Sequence, residues 1–401
     1  MKSIPLPLLS DAKAMAERPS GWPLLRLGFR PFYLGAALVA TLLVPLWLAV
    51  FWGVLDVQTT VPGLFWHAHE MVFGFAVAVI VGFLLTAGKN WTGLATPRGP
   101  WLAGLVVLWL AGRLAAFSGS PWLYAVLDLA LLPLVAGIFA RLLLRARNFR
   151  NLPLALILAL LSLANLCFHL AAHGAIALSP LPPLHAALGL ILIIESVIGG
   201  RVIPAFTMSA HPGLKLVRKP WLEWTTVGLT ALGLAWWVVA PAGWPGALAL
   251  GAAGMLHLRR LLGWKPELSS GKPMLWILHA AYAWMPLGLM LLALSQAGMV
   301  PESLGVHALA VGVTGGLIIG MMTRTARGHT GRPLQTSQAE VVAYVLVLSS
   351  ALLRVALPLL APGMTTVALI LAGAAWSLAF LIYLLMFTPW LMQTRLDGKD
   401  G

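Results

Sequence analysis

Long apolar stretches constrain this chain more than any other feature. Of its 401 residues, 60% are hydrophobic and 9% are charged, whereas a typical soluble domain is about half apolar and about one-quarter charged. A helix needs about 20 apolar residues to cross a bilayer, and a single span satisfies its backbone groups only as a helix. The sequence therefore predicts an all-α integral membrane protein with about twelve transmembrane helices. The stretches cover 31–53, 66–88, 101–117, 122–143, 153–173, 183–203, 224–240, 244–262, 273–296, 303–323, 338–360 and 364–388.

The basic residues predict the side of the membrane on which each connection lies. The chain has 26 Lys and Arg against 12 Asp and Glu, a net charge of +14. Of the 26, 24 lie in the N-terminal arm, in the C-terminal tail or around the connections after the even-numbered spans. Cytoplasmic connections are enriched in Lys and Arg, so both termini are predicted to be cytoplasmic. The predicted organisation is a cytoplasmic arm at 1–30, a twelve-helix transmembrane domain at 31–388 and a cytoplasmic tail at 389–401.

Composition also argues against several classes of function. Charged residues are too sparse to line a nucleic-acid groove, so the lipid bilayer rather than nucleic acid is the expected partner. The single cysteine excludes a disulfide framework within the chain and an iron–sulfur cluster held by four of its own thiolates. The chain also lacks the C-x-x-C-H pattern of covalently attached haem.

Histidines concentrate at one depth of the predicted bundle. Once the orientation is set, six of the ten histidines fall near the outer ends of four different spans, and the other four fall toward the cytoplasmic side. Imidazole is the commonest metal ligand and suits copper, iron and zinc. The alternatives are metal ligation and simple polar residues at the membrane interface, and the shared layer favours ligation. The candidate metal ligands are His67, His69, His169, His173, His185 and His307.

Spacing along the chain refines this set. His169 and His173 are four residues apart and share one helix face, which is a recurrent metal-ligand spacing. His67 and His69 are two residues apart, or about 200° around a helix. We therefore expect these two side chains to face different neighbours, or only one of them to be a ligand.

Ionisable residues inside the spans supply further candidates, because a charge in hydrocarbon needs a partner, a cavity or a proton-handling role. Glu70 lies one turn into the second span and Glu195 lies in the middle of the sixth, where it is either a proton relay or a protonated acid bonded to a neighbour. Arg113 either pairs with Asp128 across a helical hairpin or meets an anionic cofactor group. Arg354 has no acidic neighbour in the sequence, which favours a cofactor contact.

Several long, ordered motifs resemble the NnrS family of bacterial membrane proteins. One of them carries Tyr33 where phenylalanine is expected, which is a conservative departure. The motifs are GFRPFY at 28–33, WHAHEMVFGF at 66–75, NWTG at 90–93, RNLP at 150–153, GGRVIPAFT at 199–207 and MMTRTARGHTGR at 321–332.

The resemblance implies a multi-pass protein of the bacterial inner (cytoplasmic) membrane that contains haem and copper and takes part in nitric oxide metabolism. The haem is expected to be non-covalent and b-type, and the expected partners are nitric oxide or a related small molecule and an electron donor. The resemblance does not assign individual histidines to haem or copper. Glu70, Arg113 and Arg354 are the candidate cofactor-binding residues, and redox activity toward nitric oxide is one open possibility beside binding and sensing.

Two other functions fit the same topology. Twelve spans with both termini inside are common in secondary transporters, although no repeat between the two halves is evident and few polar residues lie at mid-membrane. A factor that delivers haem or copper to a reductase is the other alternative.

Overall fold

The computed structural model describes residues 21–399, and all regular secondary structure in that part of the chain is helical. Twelve long helices follow one another along it, in nearly the same places as the predicted stretches. Two of them, α6 and α10, run several residues beyond their predicted ends. The helices are α1 (Phe29–Phe51), α2 (Gly63–Thr92), α3 (Pro100–Ala115), α4 (Pro121–Arg145), α5 (Leu152–Ala172), α6 (Leu181–Ala210), α7 (Pro220–Val239), α8 (Trp244–Gly263), α9 (Pro273–Gln296), α10 (Glu302–His329), α11 (Gln338–Leu360) and α12 (Thr365–Leu391).

Within residues 21–399, ten of these helices are long and apolar enough to cross a membrane. The other two are α3, which is apolar but has only 16 residues, and α8. The all-helical, multi-pass membrane-like architecture is thus confirmed, whereas the crossing of all twelve helices and the cytoplasmic termini stay predictions. Most of the predicted arm at 1–30 lies outside the described residues.

Neighbouring helices in the chain mostly pack against each other, and α12 returns to pack on α1. The first turns of α2, α6 and α10 come together, since Leu64, Leu181 and Glu302 line one common cavity. We call this end of the bundle the histidine end. It is the end at which the six candidate histidines of the predicted outer layer lie.

The helices α2 and α10 share an unusual construction. Each begins at the histidine end as an α-helix, changes to a π-helix over Glu70–Ala76 or Ala308–Gly315, and then returns to α-helix. A histidine, His69 or His307, directly precedes each π-helix. Glycines recur in the same way. The same number of residues separates His69 from His307, Gly74 from Gly312, Gly82 from Gly320 and Gly93 from Gly331. The chain therefore does contain a related pair of segments, at a spacing longer than half its length.

A stripe of glycines on α10 permits close packing against α9. A Cβ atom added at Gly316 would lie 2.6 Å from Ala281 Cβ, and one added at Gly320 would lie 2.9 Å from a methyl group of Leu278. A Cβ at Gly312 would collide with the Trp284 side chain. The stripe serves helix contact, as small residues commonly do in membrane bundles.

The motif at 321–332 anchors the end of α10 that is remote from the histidine end. Arg327 donates to both carboxylate oxygens of Glu340, at 2.8 Å and 2.5 Å, and Glu340 also completes a capping box with Ser337 at the start of α11. Beyond α12, Arg395 donates to Asp397 and holds the pKa of that carboxyl below its usual range. The contact between Arg327 and Glu340 gives the motif a structural role.

We expect Gly316→Ala to destabilise the fold by about 1–3 kcal/mol, because its Cβ must displace the α9 backbone at Ala281. The matched control is Gly104→Ala on α3, where an added Cβ meets no atom within 4 Å and should cost nothing or stabilise by up to about 1 kcal/mol. Thermal unfolding of both variants in one detergent measures the difference. Equal stability of the two variants would contradict the close α9–α10 contact.

Candidate functional site

Two histidines and an aspartate meet near the histidine end, where α2, α4 and α5 come together. His69 of α2 and His169 of α5 both approach Asp128 of α4, with their Nε2 atoms 3.2 Å and 3.0 Å from Asp128 Oδ2. The possible ligand atoms of the three residues all lie within 4.8 Å of one another, and all three side chains are buried. We call these residues, together with Glu70 and Arg113, the His–Asp cluster.

Arg113 of α3 lies between the two carboxylates of this cluster. It donates to Glu70 Oε2 at 2.9 Å and forms an ion pair with Asp128. The structure thus contains the predicted Arg113–Asp128 pair and adds Glu70 as a second partner. Two carboxylates face one guanidinium, so the cluster is neutral only when one further positive charge is present. That charge is a proton on an imidazole or on one of the carboxylates, or a bound cation, because buried charges must be paired or coordinated.

Neutral polar side chains orient the groups of the cluster. Asn165 donates to Asp128 Oδ2 at 2.7 Å, and its own Oδ1 lies 2.9 Å from His69 Nε2. At the other ring nitrogen of His69, the Tyr124 hydroxyl lies 2.9 Å from Nδ1 and donates to Glu70 Oε1 at 3.2 Å. Partners of this kind fix the orientation of metal-ligating imidazoles.

The donor set of the cluster fits a metal ion. Imidazole nitrogens and a carboxylate oxygen together suit copper, zinc and iron. The Nδ1 atom of His169 is buried and has no hydrogen-bond partner among the described residues. A cavity of about 10 Å³, roughly the size of one water molecule, borders Arg113, Asp128 and Asn165 on the side away from the two imidazoles. The cluster therefore offers two imidazoles and one carboxylate to a single cation.

A larger cavity of about 360 Å³ lies on the other side of α2. It is enclosed by α1, α2, α6, α10, α11 and α12, and most of its lining is aliphatic or aromatic. We call it the histidine pocket, because three of its few polar side chains are imidazoles. The polar lining consists of His67, His185, Glu302, Ser303, His307, Thr314, Ser350 and Arg354.

Tryptophan rings support two of the pocket imidazoles. His67 stacks on Trp47 with ring centroids 4.0 Å apart, and His185 stacks on Trp237 at 4.3 Å. The separation of His67 from His69 follows the predicted geometry, since residues two apart on a helix point in nearly opposite directions. One side chain therefore faces the pocket while the other enters the His–Asp cluster.

Two imidazole nitrogens in the pocket lack a partner within the described chain. His307 Nδ1 lies 2.7 Å from the backbone oxygen of Ser303 and must donate to it, which leaves Nε2 of the neutral ring unprotonated. A hydrogen bond from the second ring nitrogen to a carbonyl is typical of metal-ligating histidines. The Nδ1 atom of His67 is buried and has no hydrogen-bond partner within residues 21–399.

Arg354 of α11 supplies the cation of the histidine pocket. No carboxylate of residues 21–399 forms an ion pair with it, in contrast to Arg113 with its two partners. A guanidinium in a membrane helix needs a partner or a polar cavity, and it binds carboxylates through a bidentate fork. Arg354 is therefore available to an anionic group of a ligand in the pocket.

The structure divides eight of the nine predicted site residues between two places. Glu70, Arg113, His69 and His169 lie in the His–Asp cluster, and His67, His185, His307 and Arg354 line the histidine pocket.

His173 is the exception. Its ring stacks beside that of His169 with centroids 5.9 Å apart, but its nitrogens do not join the group formed by His69, Asp128 and His169. The spacing of four residues predicts His169 and His173 as a ligand pair. The structure pairs His169 with residues of other helices, whereas His173 follows the last residue of α5 and lies outside the group around Asp128.

Sequence reasoning did not place Asp128, Tyr124 and Asn165 in a metal site. Asp128 is recognisable in the sequence only as a partner of Arg113, and Tyr124 carries no motif of its own. The signal that could have revealed them is spacing, because Tyr124 precedes Asp128 by four residues and Asn165 precedes His169 by four residues. Each pair therefore shares a helix face.

A family profile described as NnrS protein matches residues 23–395, a range that includes both the His–Asp cluster and the histidine pocket. No curated protein matches the chain.

We expect Arg113→Leu to destabilise the fold by about 3–5 kcal/mol, because two buried carboxylates lose their shared cation. Arg354→Leu should cost much less, since no carboxylate of the described chain depends on it. Thermal unfolding of both variants in the same detergent measures this difference. A larger loss for Arg354→Leu would contradict the distinction between a structural and a ligand-binding arginine.

Proposed function

The chain belongs to the NnrS family, and from this premise we propose that it is a haem and copper protein of the nitric oxide response. The observation that carries the proposal is the division of histidines at one end of the bundle. One group meets a buried carboxylate, and the other lines a large apolar cavity beside an unpaired arginine.

We assign copper to the His–Asp cluster. His69, His169 and Asp128 would hold it, while Asn165 and Tyr124 orient its ligands. A monovalent cation would balance the second carboxylate and make the cluster neutral, which favours copper in its reduced state. When bound, copper supplies one-electron redox chemistry.

We assign haem to the histidine pocket. The apolar lining suits the macrocycle, His307 offers an unprotonated nitrogen, His67 offers a nitrogen without a hydrogen-bond partner in the described chain, and Arg354 suits a propionate. When bound, haem iron supplies a site for a small gas and for electron transfer. The apolar lining of the pocket excludes water. Trp47 and Ser303 orient the imidazoles of His67 and His307, and Arg354 supplies the positive charge.

We further propose that all twelve helices cross the inner membrane, with both termini in the cytoplasm and the histidine end facing away from it. The pocket would then accept nitric oxide or a related small molecule from that side, and electrons would come from a separate donor. Delivery of haem or copper to a reductase would use the same sites. Consumption of nitric oxide by the purified protein with a reductant distinguishes turnover from delivery.

The two assignments predict separable losses. His69→Ala and His169→Ala should lower bound copper but retain the haem spectrum, because neither side chain lines the histidine pocket. His67→Ala and His307→Ala should alter the haem spectrum but retain copper. Metal analysis and reduced-minus-oxidised absorption spectra of protein purified from cells supplied with haem and copper measure both effects.

The control for these variants is His211→Ala, because His211 contacts Lys272 and the backbone of α6 away from both sites. His173→Ala should also retain copper. Wild-type protein without haem or copper after careful reconstitution would overturn the proposal, and loss of both cofactors from all four site variants would overturn their separate assignment.

The topology proposal is tested most sharply at α3 and α8. In a Cys167→Ala background, single cysteines at Ser118 and Ala242 should react with a membrane-impermeant maleimide applied to intact spheroplasts. Cysteines at Leu94 and Ser270 should react only after lysis. Labelling of Leu94→Cys and Ser118→Cys from the same side would exclude a crossing by α3, and Ala242→Cys with Ser270→Cys gives the same test for α8.

A further inference from the structure

Glu195 differs from the other carboxyl groups inside the bundle. Within residues 21–399 it has no ion-pair partner, and its Oε2 accepts a hydrogen bond at 3.1 Å from the Thr314 hydroxyl. A carboxyl group without a cation in the middle of a membrane helix is most stable in its neutral, protonated form. The carboxylates with arginine partners in the bundle are Glu70, Asp128, Glu223 and Glu340.

The position of Glu195 connects it to the histidine pocket. Leu184, Leu188 and Ile191 of α6 line the pocket at spacings of three and four residues. Glu195 follows Ile191 by four residues and therefore continues the same helix face. It lies one turn farther from the histidine end, just beyond the inner limit of the cavity.

Thr314 stands between this carboxyl group and the pocket. It belongs to the π-helix of α10, it is buried, and its side chain is part of the pocket lining. A hydroxyl group both donates and accepts hydrogen bonds. Rotation of the Thr314 hydroxyl can therefore pass a proton between Glu195 and the cavity without movement of the backbone.

We propose that Glu195 is the proton donor that compensates negative charge in the histidine pocket. When a one-electron reductant supplies an electron to a redox group in the pocket, the carboxyl O–H bond of Glu195 breaks. The Thr314 hydroxyl first turns its hydrogen from Glu195 Oε2 toward the pocket, and the Glu195 proton then passes to the Thr314 oxygen while the original Thr314 proton enters the pocket. The pocket gains one electron and one proton, Glu195 becomes a carboxylate, and reoxidation reverses both transfers. This inference rests on the proposed function, because it requires a redox group in the pocket.

Infrared difference spectroscopy of the purified full-length protein, reduced with dithionite and then reoxidised, tests the proposal. The reduced-minus-oxidised spectrum of the wild type should lose a band of a protonated carboxyl group, and that band should shift in deuterated water. Glu195→Gln should abolish the band change while the visible spectrum and bound metal stay at wild-type levels. Thr314→Val should diminish it, and Thr314→Ser should restore it.

The control is Glu267→Gln, which alters an exposed carboxylate outside the long helices and should leave the band change intact. A band change that persists in Glu195→Gln would overturn the inference, and so would a wild type whose haem is reduced without any change in the carboxyl region. Absence of any redox change in the visible spectrum would instead overturn the proposed function, and this inference would fail with it.

Discussion

Neutralisation of charge inside the bundle is the constraint on which the candidate sites depend. Hydrocarbon offers no counter-ion, so the Arg113 guanidinium must find its partners within the protein. It finds them in Glu70 and Asp128, and this requirement holds α2, α3 and α4 together near one end. Asp128 then attracts the imidazoles of His69 and His169. The arrangement of the His–Asp cluster therefore follows from a charge requirement that exists before any metal binds.

The π-helices contribute residues to both candidate sites, Glu70 to the His–Asp cluster and Thr314 to the histidine pocket. Such segments are rare and often lie at functional positions, and both of them here directly follow a histidine. Their irregular backbone still needs hydrogen-bond partners, and the Trp109 indole supplies one by donating to the Gly74 oxygen at 3.1 Å. The Thr314 side chain occupies the corresponding segment of α10 and borders the histidine pocket. In both helices the π-helix begins at the residue that follows the histidine.

The helices and the histidine layer are predictable from the sequence because they depend on local composition and on charge alternation. Each predicted apolar stretch coincides with a helix, since length and hydropathy decide it. The partners within the layer are not predictable in the same way. His69 and His169 lie 100 residues apart in the sequence, and only the packing of α2 against α4 and α5 brings them to Asp128. A spacing of four residues instead predicts His173 as the partner of His169. Spacing within one helix carries no information about where that helix ends relative to its neighbours.

The separation of the sites also limits the chemistry of the proposed cofactors. His67 and His69 leave α2 on opposite sides, so the helix itself stands between the histidine pocket and the His–Asp cluster. If haem occupies the pocket and copper the cluster, the two metals cannot bind one diatomic molecule between them. Copper would then act as an electron store or a structural ion, and the chemistry of a small gas would be confined to the pocket. A proton required there would come, under our proposal, from Glu195 through Thr314, which lines the pocket.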